Sequence, residues 1–270
     1  MTITHLIIRI FLVLTGAALL VLCAGFYMQH EAALGLWPWP DGRLSYIFIA
    51  SILAAIAAPV MWMGLSGELA AMRGGALDFS MTYLALTAAL ILAGPAANEL
   101  IPVPLYLDIT LGSLAFNLLL FWGTSRLTFT DTRAVPGLVR VSFIIFTLLL
   151  IAVGTALIMR VPAVFPWPLQ PQSSVVFGCI FLGAAMYFLY GSIKPVWGNF
   201  RGQLIGFLAY DVILIIPFIQ HLATVKAEHQ LSLYVYTSVV VYSALLSLHF
   251  LLIHPTTRIG SSGRSAEEFI

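Results

Sequence analysis

Eight apolar runs, at about 6–27, 45–65, 79–97, 105–125, 138–159, 174–193, 204–222 and 231–253, leave this chain few ways to fold. A helix rises about 1.5 Å per residue, so about 20 apolar residues cross the roughly 30 Å hydrocarbon core of a bilayer. Lipid offers no hydrogen bonds, and a helix is the segment that satisfies its own backbone. The connections between runs are 7 to 17 residues long and carry nearly all of the proline, glycine and charge, which leaves no room for a soluble domain. Composition agrees: 61% of residues are hydrophobic and 9% charged, where soluble domains carry about 25% charge. The sequence therefore predicts an all-α membrane protein of eight transmembrane helices. The first run is too long for a signal segment and lacks a small-x-small cleavage site, so it reads as a retained helix.

The chain also looks duplicated. Trp37-Pro38-Trp39-Pro40 returns as Phe165-Pro166-Trp167-Pro168, and the offset of 128 residues continues without a gap through Ser45/Ser173, Ile52/Ile180, Ala57/Ala185 and Arg73-Gly74/Arg201-Gly202. Between 37 and 74 there are 8 identities in 38 positions, more than so apolar a composition supplies by itself. This divides the chain into a first four-helix repeat at 1–129, a second at 130–254 and a polar, Gly/Ser-rich tail at 255–270, read as a flexible cytoplasmic end. Lys and Arg are retained on the cytoplasmic side. With the N-terminus inside, nine of them fall inside (Arg9, Arg73, Arg126, Arg133, Arg140, Lys194, Arg201, Arg258, Arg264) and three outside (Arg43, Arg160, Lys226). Repeats with an even number of helices share one orientation, so the expectation is two parallel four-helix repeats, N-in and C-in, with both Trp-Pro stretches outside.

Several function classes are argued against. A net charge of +1 gives no basic face for nucleic acid. Cys23 and Cys179 lie inside apolar runs, as inert buried thiols do. The six histidines (His5, His30, His221, His229, His249, His254) show no i, i+4 pairing, and an outer grouping of His30, His221 and His229 with Glu31, Glu99 and Glu228 falls short of a metal signature, so no metal and no cofactor is expected. Met61-Trp62-Met63 reads as packing. No phosphate-binding loop, nucleophile elbow or paired loop acids appear, which argues against an enzyme.

Charge within the spans carries the most information, because a carboxylate in hydrocarbon costs several kcal/mol, of order 3 or more at the centre, and is usually paired, protonated or functional. Asp211, deep in the seventh run, is the first candidate on a substrate or ion path, with Tyr210 and Asn117 as companions facing the bundle interior. Its counterpart at the repeat offset is Tyr83. The alternative is a carboxyl that hydrogen-bonds locally or pairs with Arg201. Asp108, near the outer end of the fourth run, is a further candidate that can reach water. In the outer loops, Trp37, Pro38, Trp39 and Pro40 with Pro166, Trp167 and Pro168 form stiff aromatic turns, read as interfacial buckles with indoles at headgroup level, or as the frame of a cavity mouth. Arg73 and Arg201 are candidate inner lipid anchors. Ala50, Ala54 and Ala58 offer a small stripe for close helix approach, and Pro59 and Pro217 should open their helices locally.

The outer stretch, with Leu169 and Pro171 after Pro168, resembles a WPWxLxPL-type signature of uncharacterised multi-pass bacterial membrane proteins. The first copy departs from it at Asp41-Gly42-Arg43. The resemblance implies a bacterial inner membrane and brings no activity with it. The reading preferred from sequence is a small transporter or permease for an apolar or weakly polar compound; the alternative is a non-catalytic accessory or structural subunit of a membrane complex. Partners are then the lipid bilayer, with other membrane subunits or a second copy of the chain as further options. A cavity between the repeats lined by Asp211, Asn117 or Tyr210 would favour transport.

Overall fold

A computed structural model describes residues 3–94 and 100–260. The last residues of the third run, Glu99, Arg264 and most of the polar tail lie outside the described residues. The helices are α1 (Ile3–Tyr27), the single turn α2 (Glu31–Leu34), α3 (Arg43–Ser66), α4 (Met72–Ala93), α5 (Val103–Gly123), α6 (Gly137–Ile158), α7 (Pro171–Ile193), α8 (Trp197–His221) and α9 (Ala227–Leu248). Three-residue 3-10 turns lead into α4 (Leu69–Ala71) and out of α5 (Thr124–Arg126), and α9 ends in a π-helical turn (His249–Ile253). Eight of the helices are long and apolar enough to cross a membrane. Among the described residues there is no strand, only a bridge between Ala134 and Val196.

α3 packs on α1 and on α8, α7 packs on α6 and on α4, and α4–α5 and α8–α9 form the remaining close pairs. α3 and α7 are the most enclosed, with 50% of their most apolar stretch buried against 17% for α1 and α5, so the middle of the bundle is α3, α7 and α8. Two aromatic clusters fill it. Phe48 of α3 touches Phe165, Phe177, Trp167, Phe181 and Tyr210 at ring distances of 4.9 to 5.9 Å. Phe143 of α6 stacks on Phe200 of α8 at 4.5 Å and meets Phe188 of α7 edge-on at 5.0 Å.

The close crossings have sequence causes. Pro59 has no N–H to give the carbonyl of Ala55, four residues back, and Gly206 of α8 lies so close to it that a Cβ would stand 2.8 Å from that oxygen. At the α4–α7 crossing, Gly183 leaves room for Asp78: a Cβ there would be 2.5 Å from its Oδ1 and 2.6 Å from its carbonyl. The α6–α7 pair closes on Gly154 and Gly178, each set against the other's carbonyl. Along α3, Ala50 and Ala54 are buried as the small stripe requires, although Ala57 and Gly64 make the tight approach to α1.

Two helices are longer than the apolar runs imply. α4 and its lead-in start at Leu69 and α8 at Trp197, ahead of the expected 79 and 204. These extensions mix apolar residues with arginine, asparagine, glutamine, aspartate and glycine, and the polar side chains are held inside by some of their groups, while Asn199 Oδ1 and Gln203 Oε1 are buried without a partner among the described residues. Arg73 directs Nη2 to the carbonyl of Thr124 at 2.8 Å and lies over the Phe121 ring. Asn199 donates to the carbonyl of Lys194 at 3.0 Å, and Gln203 to that of Tyr187 at 2.9 Å. The arginines expected as lipid anchors therefore stand in helical first turns, with Arg73 held by protein groups and Arg201 within electrostatic reach of Asp131 and Glu68.

Candidate functional site

α8 carries Asp211 into the membrane interior, 14 residues past Trp197 and 10 before His221, about 21 and 15 Å from the helix ends. The longer α8 sets it deeper than a start at 204 would. It is 1% exposed. Ser243 of α9 donates its hydroxyl to Oδ1 at 2.9 Å, while Oδ2 is buried with no partner among the described residues. The local hydrogen bond is thus real and the pairing with Arg201 is not made. Tyr210 points toward the centre, its ring 5.9 Å from Phe48. Tyr236 of α9 packs on the same aromatic cluster, with its hydroxyl buried and unpartnered among the described residues.

The other sequence candidates lie elsewhere. Asn117 on α5 donates Nδ2 to the carbonyl of Ser113 at 2.8 Å and faces α4 in a cleft with Phe79 and Tyr83. α5 packs on α4, so Asn117 does not join Asp211 and Tyr210. Asp108 is exposed on α5, apart from both.

A second interior carboxyl escaped the sequence reading. Asp78 lies on α4, nine residues past Leu69, about 14 Å in. It accepts a hydrogen bond from Thr82 Oγ1 at 3.4 Å and is enclosed at the Gly183 crossing. The run of polar and small residues from Arg73 to Asp78 reads as loop. The signal that could have found it is the repeat offset, since Asp78 and Gly183 are the counterparts of Gly206 and Ala55, the other tight crossing.

The rings of the Trp-Pro turns pack inward: Trp39 and Trp167 are 7% and 5% exposed and Phe165 2%, so they plug one end of the bundle. The Trp167 indole is compensated, as its Nε1 donates to Ser45 Oγ at 2.9 Å, and half-buried Trp37 donates to Ser173 Oγ at 3.3 Å, whereas the buried Trp39 N–H has no partner among the described residues. Asp41 binds both serines. Its carboxylate accepts from Ser45 Oγ at 3.3 Å, from the backbone N–H of Gln170 at 3.4 Å and from Ser173 Oγ. His221 and His229 donate ring N–H groups to the carbonyls of Pro166 and Phe165 at 3.2 and 2.8 Å, whereas His30 Nδ1 accepts from the Ala32 N–H at 3.3 Å. No group of three metal-binding side chains occurs among the described residues.

At the opposite end of the bundle, Glu68, 2% exposed, accepts hydrogen bonds from the backbone N–H groups of Thr130 and Asp131 at 3.0 Å and from the Thr130 hydroxyl. The 127–136 connection is fastened in turn to the start of α8, whose Trp197 and Gly198 N–H groups donate to the carbonyls of Arg133 and Asp131 at 2.9 and 2.8 Å. Asp131 pairs with Arg133. Burial pushes its carboxyl up, but the hydrogen bonds and charge of Arg133 outweigh this and hold it below the ordinary carboxylate range.

Clefts open at two places on the flanks of the bundle. One of about 220 Å³ lies between α6 and α9, with Ser142, Phe146 and Tyr242; the other, of about 390 Å³, lies between α4 and α5. Comparison with protein-family models, curated proteins and solved structures finds no match to this chain. What is shown is a polytopic, all-helical membrane protein, and function has to be argued from its own residues.

Proposed function

We propose that this protein is a small transporter of the bacterial inner membrane, carrying an apolar or weakly polar compound and exchanging a proton at Asp211. The observation that carries the reading is a mid-membrane carboxyl, 1% exposed, with one oxygen bonded to Ser243 and the other left without a donor. Such a group is costly in a membrane and is ordinarily kept for function. Asp78 supplies a second interior carboxyl on α4, and Tyr210 and Tyr236 stand near Asp211.

The arrangement of two parallel four-helix repeats, N-in and C-in, belongs to this proposal. It is supported by the contact pattern: at the 128-residue offset α3 corresponds to α7 and α4 to α8, and the packing of α3 on α8 is matched by that of α7 on α4. The two outer indole–serine bonds cross the halves in opposite directions. Two halves joined in this way can rock about a shared interface, with Pro59 beside Gly206 as a point where α3 and α8 can yield.

A second reading, an accessory subunit of a membrane complex, draws support from the aromatic packing of the centre and the flank position of both clefts. One experiment separates the two. The purified chain in proteoliposomes loaded with pyranine is presented with lipophilic alcohols, phenols and quinones while lumenal pH is followed. Transport predicts a compound-evoked pH change that is lost in Asp211→Asn and reduced in Ser243→Ala. An evoked change untouched by Asp211→Asn would overturn the role of this carboxyl. No response to any compound, together with stoichiometric co-purification of another membrane protein, would establish the subunit reading instead.

A further inference from the structure

The cleft between α4 and α5 occupies an unusual place for its chemistry. Its walls are Phe79 and Tyr83 of α4 and Gly112, Ser113, Phe116 and Asn117 of α5, which line an open groove of about 390 Å³. Tyr83 lies ten residues before the end of α4 and Asn117 fourteen past the start of α5, so the cleft sits about 15–20 Å from the outer helix ends, at the depth of the acyl chains. Phe116 beside it is 62% exposed, which marks the side open to lipid.

Three polar groups in this cleft have no hydrogen bond among the described residues: Asn117 Oδ1 and the Tyr83 and Ser113 hydroxyls. Asn117 spends one N–H on the Ser113 carbonyl, and its Oδ1 has no hydrogen bond among the described residues. The Tyr83 ring stacks on Phe79 with centroids 6.1 Å apart, and its hydroxyl is likewise without a partner among the described residues. Acyl chains cannot satisfy them, and polar groups left unpaired at this depth are costly. One amide acceptor and the Tyr83 and Ser113 hydroxyls, set in a wall of aromatic rings and glycine, match a ligand that is hydrocarbon except for a hydroxyl. Its O–H donates to Asn117 Oδ1, and its oxygen accepts from the Tyr83 O–H. A carbonyl compound could use only the second of these bonds, and a pure hydrocarbon neither.

We infer that the α4–α5 cleft is a binding site for a lipophilic alcohol or phenol that enters sideways from the bilayer. The inference deepens the transport reading and rests on it for its place in a cycle, since it names the substrate class and the side of entry. The repeat offset gives it a further sense: Tyr83 is the counterpart of Asp211. The same position holds a closed Asp211–Ser243 pair between α8 and α9 and an open cleft between α4 and α5, which would separate proton exchange from ligand binding in the two halves.

The test is equilibrium binding of tritiated farnesol to the full chain in phosphatidylcholine nanodiscs, with empty nanodiscs as background. Saturable binding at one site per chain is expected, displaced by unlabelled farnesol and not by the hydrocarbon farnesene. Tyr83→Phe and Asn117→Leu should each weaken it about tenfold, the loss of one hydrogen bond to a buried polar group. Gly112→Leu should abolish it by filling the cleft, because a Cβ at Gly112 meets nothing within 4 Å and the variant has room to fold. Thermal unfolding of each variant identifies any that misfolds, and Tyr83→Phe, which removes one oxygen, decides the matter if the others do. Binding that never saturates, that farnesene displaces equally, or that Gly112→Leu and Tyr83→Phe leave unchanged would overturn the site. Saturable binding without any Asp211-dependent flux would keep the site and sink transport; Asp211-dependent flux without farnesol binding would do the reverse.

Discussion

Gly183→Ala is the sharpest probe of the packing described above. The added methyl would fall inside van der Waals contact of Thr82 Oγ1, 2.5 Å from Asp78 Oδ1 and 2.6 Å from the Asp78 carbonyl oxygen. Two of these atoms are side-chain ends that can rotate; the carbonyl belongs to α4 and cannot move unless the helix does. Overpacking of this kind costs about 1–3 kcal/mol, and the backbone obstacle places Gly183→Ala at the upper end. Helix propensity works the other way by about 1 kcal/mol, since alanine is the better helix former. Gly112→Ala isolates that second effect, because its methyl meets nothing within 4 Å. The two substitutions are chemically identical and should shift the unfolding temperature in opposite directions, Gly183→Ala down by several degrees and Gly112→Ala slightly up. Tryptophan fluorescence during thermal unfolding in one detergent measures both. Adding Thr82→Ala to Gly183→Ala should recover only part of the loss, as the Asp78 carbonyl remains. If Gly183→Ala proved as stable as Gly112→Ala, α4 and α7 would not cross at Asp78, and the enclosure of that carboxyl would be wrong.

Three further outcomes follow from the two ends of the bundle. Trp167→Phe keeps a ring in the aromatic plug and removes the N–H to Ser45, so it should cost about 0.5–1.5 kcal/mol, whereas Trp167→Ala should cost about 3–5 kcal/mol; denaturation midpoints compare them. Glu68→Gln turns an acceptor of several donors into an amide whose NH₂ faces the Thr130 and Asp131 N–H groups, for about 1–3 kcal/mol, and amide exchange in 127–136 should rise with it. Asp131 has its folded carboxyl held below the ordinary range, so its pairing with Arg133 stabilises above about pH 4 and is lost as pH falls through the lower folded value. Limited proteolysis of the 127–136 connection should therefore increase on acidification, and Asp131→Asn should flatten that dependence.

Much of the fold was legible because its cause is local: a run of about 20 apolar residues is a sufficient description of a spanning helix. The limits of α4 and α8 were not, since Arg73, Asp78, Asn199 and Gln203 look like loop until the carbonyls and the Gly183 crossing that receive them are known. Asp78 was lost with that boundary. Asp211 was found because a carboxylate amid Leu and Ile is conspicuous in any window. Of the companions expected for it, Tyr210 lies beside it and Asn117 does not, as the order of spans along the chain does not say that α5 packs on α4. The Trp-Pro turns were recognised as a repeated device, yet an indole at the lipid boundary and one sunk into a core have the same local sequence. What decides between them is Ser45 or Ser173, a hundred residues or more away.

The connection between α5 and α6 is itself glued down, to Glu68 on one side and to Trp197 and Gly198 on the other. Chain continuity there adds little to an attachment already made by hydrogen bonds. A chain cut once within 127–136 and expressed as two pieces should reassemble, and the gene could be opened at this point without losing the protein.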